Sequence, residues 1–217
     1  MAGRIYPSTS SNVELVATLA SGRQIRGETR ISRSQQPIAR IRTEPAGVKP
    51  CKETLDAIAK ADLITIGPGS LYTSLIPHLL VDGIPKAIRA SRAVKVYFAN
   101  LMTQPGETSG MSASAHLRAL LQHAGKSAQR LIDVCVLNAA GLPASVVTEY
   151  GKRSARPVEM DVEAIEKMGI EVRTHDLVGA LRRMPGDKIR HHPTAIGAIA
   201  MEAAQQERLR RQRKRAS

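Results

Sequence analysis

Between residues 13 and 31 apolar positions alternate with polar ones, interrupted by Ser21-Gly22. This period of two predicts a β-hairpin over residues 13–19 and 24–31, with Ile25, Gly27, Thr29 and Ile31 on one face. A further strand is expected at 38–42, after Pro37. Residues 50–60 then change to a helical spacing, placing Leu55, Ile58 and Ala59 on one side.

From residue 63 short apolar runs alternate with helical patterns. Strands are expected at 63–66, 94–99, 131–137, 157–160 and 171–174. Helices are expected at 70–80, 85–91, 112–123, 144–150, 162–168 and 193–213, and 100–110 reads as a loop. Short apolar strands separated by helices imply a parallel sheet covered on both faces. The expected fold class is α/β: a doubly wound, mainly parallel, Rossmann-like sheet with a small N-terminal β-hairpin subdomain. The divisions are a hairpin segment (1–45), an α/β ligand-binding region (46–200) and a basic tail (201–217).

With one Phe, four Tyr and no Trp, the core must be aliphatic. No run of about 18 apolar residues exists, so no membrane span is expected. The first residues lack the apolar stretch of a signal peptide. Cys51 and Cys135 form no Cys-x-x-Cys arrangement, which points to free thiols in a reducing cytoplasm.

The formal charge of +13 is unevenly spread. Arg208, Arg210, Arg211, Arg213, Lys214 and Arg215, against Glu207, give the tail a net +5. Arg23, Arg26, Arg30, Arg33, Arg40 and Arg42 form a second basic region. Such patches attract polyanions by counterion release. No aromatics are interleaved with them and no known nucleic-acid motif appears, so specific nucleic-acid recognition is not expected.

The candidate chemistry lies at strand ends. Leu63-Ile64-Thr65-Ile66 feeds Gly67-Pro68-Gly69-Ser70, followed by Leu71-Tyr72-Thr73-Ser74. Glycines let backbone approach a ligand closely, and a following helix would aim N–H groups at a phosphate. The hydroxyls of Ser70, Thr73 and Ser74 serve equally well as helix caps. The loop after the next strand, Asn100-Leu101-Met102-Thr103-Gln104-Pro105-Gly106-Glu107-Thr108, offers amides and hydroxyls suited to a ribose or sugar. There Glu107 could accept from hydroxyls, hold a metal, or simply favour the next helix N-terminus. If the two strands are neighbours, both loops face one crevice beyond the strand ends. Asn138, after the third strand, either enters that crevice or forms a turn.

No catalytic set stands out. The adjacent His191 and His192 point in different directions, and His78, His116 and His123 have no carboxylate or cysteine at ligand spacing, so no metal site is assigned.

The strings Gly67-Pro68-Gly69-Ser70-Leu71-Tyr72-Thr73-Ser74, Asn100-Leu101-Met102-Thr103-Gln104-Pro105-Gly106-Glu107-Thr108 and Lys188-Ile189-Arg190-His191-His192-Pro193 resemble the gluconeogenesis factor family, relatives of 2-phospho-L-lactate transferase. The resemblance implies a UDP-sugar ligand, of UDP-N-acetylglucosamine type, and a regulatory role in carbon metabolism and cell-shape or envelope homeostasis. Its alternative is a transferase moving a phosphate-linked group from a nucleotide donor, with Mg²⁺ on the diphosphate. Under the first reading Gly67, Gly69 and Ser70 cradle phosphate and Tyr72, Thr73 and Asn100 orient ribose or sugar. Pro68, Ser74, Thr103, Glu107 and Thr108 complete the expected site.

The family's glycine-rich opening strand and its paired aspartates have no counterpart here. The resemblance therefore implies a C-terminal part of a longer protein, or a chain completed by another copy. A sheet lacking its first strands would expose an apolar edge and aggregate readily.

Overall fold

The computed structural model describes residues 3–125, 128, 130–178 and 189–216. Strand β1 (Glu14–Leu19) pairs antiparallel with β2 (Gln24–Arg26) and β3 (Ile38–Glu44), in the order β2–β1–β3. The second hairpin strand is shorter than its alternation predicts. Gly27, at φ +82°, turns the chain out of the ladder, and Glu28–Ser32 winds into the helical turn α1. Ile31 still reaches the core, but from a helix.

The second sheet is parallel, with β4 (Leu63–Ile66), β5 (Val94–Phe98), β6 (Val134–Asn138) and β7 (Glu171–His175) in sequence order. Its helices are α2 (Lys52–Lys60), α3 (Ile76–Leu79), α4 (Ile84–Ala90), α5 (Ala113–Ala124), α6 (Ala144–Gly151), α7 (Val162–Glu166) and α8 (Pro193–Ala216). This is the expected α/β architecture with its small antiparallel annex.

Alternation along the parallel strands divides the core. Val96, Phe98, Val134 and Val136 pack with Ile199 and Ala203 of α8. Tyr97, Ala99, Cys135 and Leu137 face the other way, against α3, α4, α5 and α7. Leu19, Ile31, Ile38 and Ile41 of the annex join that second cluster, so both sheets share one core. Each large side chain so buried contributes about 1.5–3 kcal/mol.

Three expected elements differ. Residues 157–160 form no strand; Pro157, which has no N–H to give a ladder, makes a lone bridge to Met102. Leu131 and Ile132 are buried ahead of β6 rather than within it. The helix expected over 70–80 is broken into a wide turn, Leu71–Leu75, and the four-residue α3. The Ser70 carbonyl accepts from both Ser74 N–H (2.9 Å) and Leu75 N–H (3.0 Å). Pro77 lacks a backbone N–H, which suits only a helix's first turn, so the helix restarts beside it.

β4 ends the sheet order, and its Thr65 is exposed. Among the described residues no helix is long and apolar enough to cross a membrane.

Candidate functional site

β4 and β5 are hydrogen-bonded neighbours, with Ile66 opposite Tyr97, so the loops that follow them emerge side by side. Gly67 has φ +78°, and a Cβ there would stand 3.0 Å from the Phe98 carbonyl oxygen. Only glycine permits that approach of the two strand ends. Beyond it the loops bond directly. Asn100 Nδ2 donates to the Gly69 carbonyl (2.9 Å), and Gly69 N–H donates to Asn100 Oδ1 (3.3 Å). The Ser70 hydroxyl donates to Gln104 Oε1 (2.9 Å).

Below this pair lies a buried carboxylate. Glu107, 2% exposed, accepts from Tyr72 N–H at Oε2 (3.1 Å) and from the Thr73 hydroxyl at Oε1 (2.8 Å). Gln104 Nε2 donates to the same Oε1 (3.1 Å). The turn amide expected to meet a ligand anion thus meets a side chain of the protein itself. Tyr72 points into the core, its ring edge-on to His123 with centroids 5.9 Å apart. The Thr108 hydroxyl accepts from Gln104 N–H (2.8 Å).

A cleft of 730 Å³ opens over the two loops. Pro68, Gly69, Ser70, Asn100 and Thr103, all named in the sequence reading, line it. Gly67 lies beneath the turn. Tyr72, Thr73, Glu107 and Thr108 are buried, with the inward contacts just described, and do not line the cleft. Ser74 is exposed outside the lining. Thr103 shows little surface, because its Oγ1 accepts from Arg156 N–H (3.0 Å). Asn138 holds a turn, donating to Ala140 O (2.8 Å) and accepting from Leu177 N–H (3.0 Å).

The opposite wall was not anticipated as a site. Glu149, Tyr150 and Arg153 come from α6 and its C-terminal end, and Arg190 and His191 from the segment before α8. Tyr150 OH accepts from Ile189 N–H (2.8 Å), tying the two parts together. Arg153 and Arg190 are exposed. Nothing in the pattern of 144–153 marks it as a ligand wall, since helical spacing reports only the buried Val146. Lys188, which opens the third resemblance string, lies outside the described residues.

Three histidines have their pKa lowered, burial being the main cause: His116, His123 and His191. In each, one ring N–H donates to a backbone carbonyl: His116 Nδ1 to Ser112 (2.8 Å), His123 Nδ1 to Ala119 (2.7 Å) and His191 Nε2 to Ala99 (2.9 Å). The second nitrogen of His123 accepts from Ile41 N–H (3.0 Å), and that of His116 is buried without a partner. Protonation would break the first arrangement and bury a bare N–H in the second. Because the folded pKa values lie below the usual value of about 6.5, the unfolded chain takes up protons first. Stability is therefore complete above about pH 6.5 and falls as the pH drops below it. Thermal melts from pH 8 to pH 5 should show that decline, and His123→Gln should flatten it.

Residues 1–178 match the family profile described as 2-phospho-L-lactate transferase CofD. The chain belongs to the CofD family. It is 38% identical over 200 residues to the gluconeogenesis factor of Bacillus subtilis, covering 92% of this chain and 61% of that protein. A counterpart from Thermoanaerobacterium thermosulfurigenes is 42% identical over 205 residues, covering 93% and 61%. Among solved structures, a UPF0052 family member from Bacillus halodurans superposes with a TM-score of 0.84 at 35% identity, covering 92% of this chain and 62% of that one. This CofD-family chain thus spans about three fifths of the length of these relatives.

Proposed function

We propose that the cleft over Gly69, Ser70 and Asn100 binds a nucleotide sugar of UDP-N-acetylglucosamine type, and that the chain acts as a binding, regulatory protein. The observation carrying this reading is the cleft's composition. Close-approach backbone and the Asn100 amide form one wall, and two exposed guanidiniums, Arg153 and Arg190, form the other. Backbone turns and guanidiniums are the groups that hold a diphosphate, while amides suit ribose and sugar hydroxyls. A volume of 730 Å³ lies in the range of small-molecule sites of about 300–1,000 Å³. Relatives named gluconeogenesis factors support a part in carbon metabolism; a cytoplasmic setting and a role in cell shape or envelope homeostasis belong to the same proposal.

Of the turn amides, Tyr72 N–H is occupied by Glu107 and Gly69 N–H by Asn100 Oδ1, so phosphate contact falls to the rest of the turn and to the arginines. Among the described residues no group of three or more His, Cys, Asp or Glu converges as a metal site. Mg²⁺ bound by these residues therefore finds no ready ligand set, and no step is assigned to it.

Transferase activity is the second reading, favoured by the family profile's description. Calorimetric titration with UDP-N-acetylglucosamine, with and without Mg²⁺, separates the two when product formation is followed alongside. Binding without turnover supports the regulator, turnover the transferase, and silence removes both. Arg190→Ala should weaken binding by about tenfold, the worth of one hydrogen bond to a charged group, and Asn100→Ala, which unties the Gly69 turn, should weaken it as well. Among the described residues no strand pairs with β4 on the side away from β5, which supports completion of the sheet by further strands, from a longer chain or a second copy.

A further inference from the structure

A second and larger concavity, 1410 Å³, opens at the other end of the parallel sheet. Its walls are the loop before β5, the loop before β6, the start of β7 and one side of α8. Arg89, Arg92, Lys95, Arg130, Arg173 and Arg210 line it, against Asp133, Glu171 and Glu207. Lys95 pairs with Asp133 (3.7 Å) and Arg173 with Glu171 (2.7 Å). Arg89, Arg130 and Arg210 are exposed and make no ion pair among the described residues. The groove holds a net positive charge whose free part is wholly guanidinium.

The charge continues beyond the groove. Ala203 is the last buried residue of α8. The helix then runs on to Ala216, about 20 Å at 1.5 Å per residue. Arg208, Arg210 and Arg213 are exposed on that extension. Basic residues at a helix C-terminus offset its dipole, but that effect fades within the last turn. It accounts for Arg89, in the last turn of α4, but for neither Arg210 nor Arg130 on the loop before β6.

We propose that this groove and the projecting end of α8 form one docking surface for the phosphate backbone of a nucleic acid, read without regard to sequence. Guanidinium groups match phosphate oxygens two at a time, which a lysine cannot do. No aromatic side chain lines the groove, so bases have no stacking platform and contacts fall on the backbone. Arg208 pairs with Asp62 (2.5 Å), but a free phosphate or nucleotide in the groove would not reach Arg213 farther along α8. A flat lipid surface would not reach into a concavity. Sequence-specific recognition, set aside from the absence of motifs, is not required by this arrangement.

The test is fluorescence anisotropy of the whole chain with labelled duplexes of about 20 base pairs, one RNA and one DNA, over about 50–200 mM salt. Wild type should bind either duplex, with affinity falling steeply as salt rises. The triple variant Arg89→Glu, Arg130→Glu, Arg210→Glu should lose at least about tenfold in affinity and lower the salt slope by about 3, roughly one per lost phosphate contact. A control with the same charge change in the N-terminal annex, Arg23→Glu, Arg30→Glu, Arg40→Glu, should stay within about twofold. Thermal melts check that both fold. If the triple variant does not fold, Arg210→Gln, on the exposed helix end, should alone cost about threefold. Equal losses in the two triple variants would reduce the effect to net charge and overturn the proposal. So would absence of duplex binding, or tighter binding to phosphatidylglycerol vesicles than to duplex.

Discussion

Gly106→Ala is expected to be the most damaging single substitution in the binding half of the molecule. A Cβ built at Gly106 falls 1.5 Å from the Ser34 carbonyl oxygen and 2.7 Å from the Ser34 carbonyl carbon. Gly106 also has φ +81°, a conformation that alone costs an alanine about 1–3 kcal/mol. The overlap is with backbone, so no rotamer change relieves it. Either residues 105–107 or the segment after α1 must move, and the combined cost should be about 4 kcal/mol or more. Gly110→Ala is the matched control. Gly110 has φ +76°, yet its Cβ would meet only Arg156 Nη2, at 3.6 Å, the end of a flexible side chain. Denaturant unfolding should place Gly110→Ala at the strain cost alone and Gly106→Ala well beyond it. Equal values would show that the contact with Ser34 is not made in solution.

That contact explains why the antiparallel annex matters to the cleft. The β2–β1–β3 sheet does not touch the cleft, but it fixes the Asn100 loop from behind. Ser34 meets Gly106, and Ile41 N–H meets His123 on α5. The annex and the parallel sheet therefore act as one body. A change at Gly106 should weaken nucleotide-sugar binding through Asn100 although Gly106 lies outside the lining.

The elements whose burial pattern is wholly apolar were legible in the sequence. β5 and β6 are buried along most of their length because helices or the annex cover both faces, a pattern a parallel sheet accepts, whereas β4, at the end of the sheet order, leaves Thr65 exposed. Their adjacency was a condition of the sequence reading, and the structure meets it: β4 pairs with β5 and β5 with β6. The second hairpin strand was misjudged because Gly27 and Ile31 fit a period of two and a period of four alike. Only the positive φ of Gly27 separates the cases. The broken helix after Ser70 was concealed because Pro77 is acceptable in a first turn, and the pattern cannot say which turn is the first.

For the candidate site, position at the strand ends was enough to bring Gly69, Ser70 and Asn100 to one cleft. It could not tell a hydroxyl facing the cleft from one facing inward. Thr73 and Ser74 are adjacent and chemically alike as donors, yet one bonds Glu107 and the other faces solvent. The far wall, with Arg153 and Arg190, depends on α6 and the segment before α8 meeting across the sheet end. No local spacing encodes such a meeting.

Glu107 provides the second large effect. Its carboxylate accepts from Tyr72 N–H, the Thr73 hydroxyl and Gln104 Nε2, and more distantly from the Ser32 hydroxyl (3.4 Å). Glu107→Ala strands these donors in a space that is 2% exposed, each unsatisfied group costing about 1–3 kcal/mol. A total loss of about 3 kcal/mol or more is expected from denaturant unfolding. Glu107→Gln keeps one acceptor oxygen and turns an amide N–H₂ toward a donor, so an intermediate loss is expected. The same pair of variants distinguishes a scaffold from a metal ligand. This carboxylate is buried and stands outside the cleft lining. Glu107→Gln should therefore leave the Mg²⁺ dependence of nucleotide-sugar binding unchanged while lowering the melting temperature. If instead Glu107→Gln keeps the melting temperature and abolishes a Mg²⁺ effect, the carboxylate faces the ligand in solution. The inward arrangement described here would then be wrong.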